Sequence, residues 1–177
     1  LGVCGEDIFY GANDNSSGSA MLLNLMRYFR KNQPEYSIVF IFFDSEENNL
    51  LGSFFYADNP LLPLDDIQFF LELDMIGDNG NTVVCQSSDA GLEGLEYLKK
   101  VNSGMENPFG KFQQDPFEDY ADHYPFGLKG VPAMYMEVNG DTNKNYHSPR
   151  DNFENFYSSN YNRVFTLVTG FIEGFKR

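Results

Sequence analysis

Apolar positions along the chain follow two patterns, a period near 3.6 residues and short continuous runs, and their alternation predicts the elements. Met21, Leu22, Leu25, Met26 and Phe29 stand at helical spacing. The polar run Asn13–Ser17 ahead of them offers capping side chains, while Arg27, Arg30 and Lys31 lie toward the other end, where cations suit the helix dipole. Pro34 stops that helix. Tyr36 to Phe43 (YSIVFIFF) is an unbroken apolar, β-branched and aromatic run of the kind buried on both faces of a sheet, so a central strand is predicted there. Ile67 to Met75 (IQFFLELDM) and Ala133 to Val138 (AMYMEV) predict two more strands, and Thr82 to Cys85 a short fourth. Gly91 to Lys100 and Asn160 to Phe175 read as amphipathic helices, the second through Val164, Phe165, Leu167, Val168 and Phe171. Between Asn102 and Tyr124 the sequence is irregular and rich in Pro, Gly, Asp and Phe, too long for an idle connection, and is expected to border a site. No repeat, low-complexity tract or linker divides the pattern, so residues 1–177 are expected to form a single α/β domain.

Composition narrows the chemistry. With 42% hydrophobic and 16% aromatic residues the chain can bury a sizeable core, which excludes a disordered acidic tail. Twenty-six acidic against 12 basic side chains give a formal charge of −14. Such a surface repels phosphate backbones and anionic lipid, and no basic patch offsets it, so nucleic acid is not an expected partner and cations are. The longest apolar runs fall far short of the roughly 20 residues that cross a bilayer. Cys4 and Cys85 suggest neither a zinc knuckle nor a disulfide scaffold.

Acids follow the apolar runs. Asp44-Ser45-Glu46-Glu47 comes directly after the strongest predicted strand, and adjacent carboxylates at the C-terminal edge of a sheet repel unless a cation or proton is shared between them. Asp74 repeats the arrangement in FFLELDMIG, and Asp14 sits in the Gly-flanked turn GANDNSSG. Taken singly, each also fits a solvated turn or a helix cap. Both histidines lie in loops beside special residues: His123 in ADHYPF and His147 in YHSPRD. Carboxylates with one or two imidazoles are the usual ligand set for catalytic Zn²⁺, while a neighbouring unligated Glu accepts a proton. From a Glu-Glu pair on a regular strand, one side chain binds the ion and the other catalyses.

The ordered set GANDNSSG, DSEE after a strand, ELDMIG, ADHYPF and YHSPRD resembles the co-catalytic zinc exopeptidases of metallopeptidase family 28 in clan MH, over nearly the whole chain. The resemblance implies a mixed β-sheet flanked by helices, the zinc-exopeptidase (phosphorylase/hydrolase-like) fold, with two zinc ions at the C-terminal strand edges. It implies Asp14 as the carboxylate bridging both ions, Glu46 as general acid/base, and Glu47 with His147 as ligands of one zinc. Asp74 is implied as a ligand of the other, and Tyr146 as a phenol stabilising the oxyanion. Asp122, His123 and Phe126 fall in a signature that lines the substrate pocket or supports the ligands. The implied substrates are peptides with a free N-terminus. A cis peptide between Asp14 and Asn15 is implied too, as is a secreted or periplasmic location.

The sequence also departs from the family pattern. No histidine occurs between Leu1 and Asp14, where the family carries a His-x-Asp element that supplies the last zinc ligand. An N-terminally truncated domain with one incomplete metal site, and weak or absent activity, is therefore expected. Asn13 stands where many relatives have Asp, and Ala121 where many have Ser. Three functions are compatible: a zinc aminopeptidase, a peptidase-like binding domain that hydrolyses nothing, and a glutaminyl-cyclase-like acyltransferase using one zinc. The presence of both Glu46 and Tyr146 favours the first.

Overall fold

A computed structural model describes residues 2–140 and 144–176, which leaves Leu1 of the opening segment outside. A short antiparallel hairpin comes first, β1 (Gly2–Cys4) against β2 (Asp7–Phe9). Helix α1 spans Ser16–Phe29 and α2 spans Leu51–Asp58. Strands β3 (Phe70–Leu73) and β4 (Thr82–Ser87), helix α3 (Leu92–Ser103) and strand β5 (Lys111–Asp115) follow. Helix α4 (His123–Leu128), strand β6 (Ala133–Asn139) and helix α5 (Tyr161–Gly174) complete the order. The main sheet has the order β3-β6-β4-β5 and is mixed: β3 runs parallel to β6 and β4 parallel to β5, while β4 and β6 are antiparallel.

Side chains alternate across a strand, so each strand sorts its residues onto two faces. One face is apolar. Leu73, Val83, Cys85, Met134, Met136 and Val138 lie there under Met21, Leu25 and Phe29 of α1, Leu95 and Leu98 of α3, and Val164, Leu167, Val168 and Phe171 of α5. The helical spacings of those residues are the ones that keep a single stripe facing the sheet. The other face changes character along its length. Phe70 and Ala133 pack there with Phe126 and Val131, Phe70 stacking on Phe126 at 4.1 Å. Two residues further along, in the same register, come Glu72 and Tyr135, and beyond them Asp74 and Glu137. The strand pattern thus delivers carboxylates to one end of one face.

Tight backbone approaches fix α1 against that end. Asn15 caps α1 by accepting from the Gly18 amide at 2.9 Å and donates to the Leu73 carbonyl at 3.0 Å. A side chain at position 18 would put its Cβ 2.1 Å from the Leu73 oxygen, so only glycine permits the contact.

Two expectations from the sequence are corrected, and one helix appears that it did not predict. Tyr36–Phe43 is not a strand of the sheet: among the described residues it has no ladder partner. Ile38 and Phe40 pack on the main core, and the Tyr36 hydroxyl donates to the Ile172 carbonyl, but the run and the outer edge of β3 line a cleft of about 1290 Å³. A central strand needs hydrogen-bonding partners along both edges, and here the apolar run is covered only in part. Helix α2 lacked a periodic signal because its inward residues are the small Ser53 and Ala57, leaving Leu51 and Phe55 exposed. The stretch Asn102–Tyr124 is not wholly irregular, since it holds β5, and Asn102 pins the loop before it by exchanging two hydrogen bonds with Phe109. Cys4 is exposed and Cys85 buried, both as free thiols.

Candidate metal centre

Three loops meet at the acidic end of β3. The first carries Asp14, whose peptide bond to Asn15 is cis. Asp151 holds this loop: one carboxylate oxygen accepts from the Asn13 amide at 2.8 Å and the other from the Asp14 amide at 3.0 Å. Asn13 in turn accepts from the Gly77 amide at 2.8 Å, and Ser17 accepts from the Ile76 amide at 3.1 Å, so the turn after β3 is tied to the Asp14 loop. The second loop carries Glu46 and Glu47 in a turn between the Tyr36–Phe43 run and α2. The third carries Tyr146 and His147. Ser45, Met75 and His147 all have left-handed backbones, with φ of 56°, 46° and 51°. Non-glycine residues pay about 1–2 kcal/mol for that conformation, and such positions gather at functional sites.

These loops bring Asp14, Glu47 and His147 together. His147 Nε2 lies 3.2 Å from Asp14 Oδ2 and 3.0 Å from Glu47 Oε1, and one potential ligand atom from each residue falls within 4.8 Å of the others. Glu46, Asp74 and Asp122 line the same cleft without joining that group. Asp74 Oδ1 is shielded from solvent and has no hydrogen-bond donor. Tyr146 stacks on the His147 ring at 3.7 Å with its edge half exposed.

Crowded carboxylates hold on to protons. Burial first, then the charges of Asp122, Glu47, Glu72 and Asp14, push Glu46 up to about 8. Burial and Glu47 raise Asp14 to about 6, with His147 acting in the opposite direction. Asp74 is raised well above the carboxylate range by burial, then by Glu72 and Asp14. Burial and Glu72 raise Asp122 to about 7, against the Ser53 hydroxyl. Burial, ahead of the surrounding acids, raises the Tyr146 phenol as well.

The residues present fit a zinc ion at Asp14–Glu47–His147: two carboxylates and one imidazole converge, which is the donor set of a three-ligand catalytic site with room for water. Asp74 lines the same cleft as Asp14 but joins no such group among the described residues, and the other imidazole of the chain, His123, is fully buried with its Nδ1 3.2 Å from Glu72. The His123 ring is thus turned to Glu72, and Asp122 lines the cleft outside the Asp14–Glu47–His147 group. Phe126 belongs to the buried aromatic cluster that forms the cleft's apolar wall. Two contributors went unassigned in the sequence reading, Glu72 and Asp151. Their signals were present: Glu72 stands two positions before Asp74 and hence on its face, and Asp151 closes the motif YHSPRD.

A profile described as peptidase family M28 matches residues 2–172. A vacuolar membrane protease of Candida glabrata is 30% identical over 154 residues, covering 82% of this chain and 15% of that protein. A zinc aminopeptidase from Bacillus subtilis superposes with a TM-score of 0.79 at 25% identity, over 92% of this chain and 41% of its own. A glutaminyl cyclase from an Acidobacteriales bacterium gives 0.79 at 25% identity, over 94% and 62%. The chain thus spans about 15% of that curated relative's length and about two fifths of the aminopeptidase. Further curated relatives, from Candida dubliniensis and Pyricularia oryzae, are also vacuolar membrane proteases, which overturns the expected secreted or periplasmic location. Among the described residues no helix is long and apolar enough to cross a membrane.

Proposed function

The chain belongs to peptidase family M28, and from that premise we propose that it is the catalytic part of a zinc-dependent aminopeptidase acting on peptides with a free N-terminus. The observation that carries the reading is the convergence of Asp14, Glu47 and His147 beside Glu46, an acid that shares their cleft and stays outside their group. When bound there, zinc acidifies water and polarises the scissile carbonyl. Glu46 takes the proton of the attacking water and returns it to the leaving amine, a role suited to an acid that lines the cleft but stands outside the ligand group. Tyr146, held flat against His147, donates to the developing oxyanion. The apolar wall around Phe126 receives the side chain of the first residue.

Asp14, Glu47 and His147 would hold the zinc, since there an imidazole joins two carboxylates. The vacuolar membrane proteases among its relatives support a vacuolar-membrane setting. Hydrolysis of aminoacyl-nitroanilides by the zinc-loaded chain, with N-acetylated analogues as controls, tests the reading. Glu46→Gln is expected to lower kcat by about 10²–10⁴-fold, the span of general acid–base contributions, with zinc content unchanged. Zinc lost in Glu46→Gln and retained in Glu47→Gln reverses the two roles, and cleavage of acetylated substrates alone removes the aminopeptidase. A second reading is favoured by the one ligand group found among the described residues and the glutaminyl-cyclase likeness. A peptide with N-terminal glutamine separates the two, since cyclisation releases ammonia and hydrolysis releases glutamine.

A further inference from the structure

Glu72 has no counterpart in the ligand or proton-transfer roles above, yet its side chain is nine-tenths buried at the heart of the cleft. One oxygen, Oε1, accepts from the Asp122 amide at 3.0 Å, and the other, Oε2, from the His123 amide at 2.7 Å. The fully buried His123 ring brings its Nδ1 to 3.2 Å from the same Oε2. Phe117 meets that ring edge-on at 5.2 Å, so the imidazole contacts both the carboxylate and an aromatic side chain of the preceding loop. Because Glu72 and Asp74 share a face of β3, one strand segment carries both this carboxylate and the orphaned acid of the metal cleft.

We propose that Glu72 is a positioning residue: its carboxylate clamps the Asp122–His123 backbone to β3 and thereby fixes where Asp122 stands in the cleft that Glu46 also lines. The chemistry requires a carboxylate. Both oxygens accept, matching two parallel amide donors, whereas a carboxamide presents one acceptor and turns an NH₂ toward the second amide. Asp122 and Glu46 line the same cleft, so a shift of this backbone changes the surroundings of the acid that moves the proton.

The inference rests on the peptidase reading for its kinetic arm and stands apart from it in its exchange arm. In the zinc-loaded chain, Glu72→Gln is expected to speed hydrogen exchange of the Asp122 and His123 amides by about tenfold or more, the scale of one charge-assisted hydrogen bond. Amides of the β4–β6 ladder, such as Val83 and Val138, should keep wild-type rates. Glu72→Asp, which retains both acceptors on a shorter stem, should fall between. With aminoacyl-nitroanilide, Glu72→Gln should lower kcat about tenfold at unchanged KM and zinc content, and should add little to Asp122→Asn. Wild-type exchange at both amides in Glu72→Gln, or a kcat loss fully additive with that of Asp122→Asn, overturns the clamp. If the wild-type chain hydrolyses no peptide, the peptidase reading falls and the exchange result alone decides the clamp.

Discussion

Asp151→Asn is the substitution whose consequence the geometry defines best. The Asp151 side chain is buried and accepts from two successive amides, Asn13 at 2.8 Å and Asp14 at 3.0 Å. Asparagine keeps the shape and one acceptor, and its NH₂ then opposes the second amide. A hydrogen bond to a charged group is worth about 1.5–3 kcal/mol, and an unsatisfied buried donor about 1–3 more. One opposing effect is set against these. Asp151 is itself a minor cause of the raised Asp14, ranking below burial, Glu47 and His147, so removing its charge relieves some repulsion in the metal-free chain. That relief is smaller than the lost bond, and the net expectation is a destabilisation of about 2–4 kcal/mol. For a chain of this size that lowers Tm by about 5–15 °C. In the zinc-loaded chain both effects point the same way: the backbone under Asp14 loosens and a nearby negative charge is gone, so zinc affinity should fall about 10–100-fold, as for other residues that orient a ligand. Thermal melts with and without zinc, and titration against a chromophoric chelator, read the two numbers. An unchanged Tm together with unchanged affinity would refute the role given to Asp151.

The raised acids set a pH dependence for the metal-free chain. Folded Asp14, Glu46 and Asp122 keep protons that the unfolded chain gives up near pH 4, so the stability they contribute is complete below that and is lost as pH rises through about 6 to 8. Asp14 alone, moved from 3.8 to about 6, accounts for about 3 kcal/mol. Melts at about pH 5.5 should exceed those at about pH 8.5, and zinc should remove the difference; a metal-free Tm that rises over that range contradicts the assignment. His147→Ala should weaken zinc binding more than Asp74→Asn does, by the same chelator titration, and equal losses would show the two positions to be equivalent. Gly18→Ala should lower stability by about 3 kcal/mol, at the upper end of overpacking penalties, because its Cβ meets the Leu73 carbonyl at 2.1 Å; a wild-type melt would mean that α1 is free to slide.

How far the sequence anticipates this molecule depends on which neighbours each segment needs. Helices α1, α3 and α5 are legible because their inward stripe is made of large apolar residues, and β4 and β6 because each packs its apolar side chains against those helices. Helix α2 turns small residues inward and β5 is polar at the sheet edge, so neither carries a periodic signal. Tyr36–Phe43 misleads in the opposite direction. Its composition reports how hydrophobic its surroundings must be, while strand pairing is decided by backbone partners that no local pattern encodes. The candidate site divides along the same line. Asp14, Glu47 and His147 are recognisable because metal chemistry restricts residue type, and five motifs in order are hard to assemble by chance. Glu72 and Asp151 act through backbone amides of distant segments, at separations of 50 to 51 and 137 to 138 residues. An acceptor of amides can be Asp, Glu or Asn, so residue type says little, and only the fold reveals which amides arrive. Site-supporting acids of this kind are therefore to be sought on the strand face that carries a known ligand and at the closing position of a ligand loop, where Glu72 and Asp151 stand.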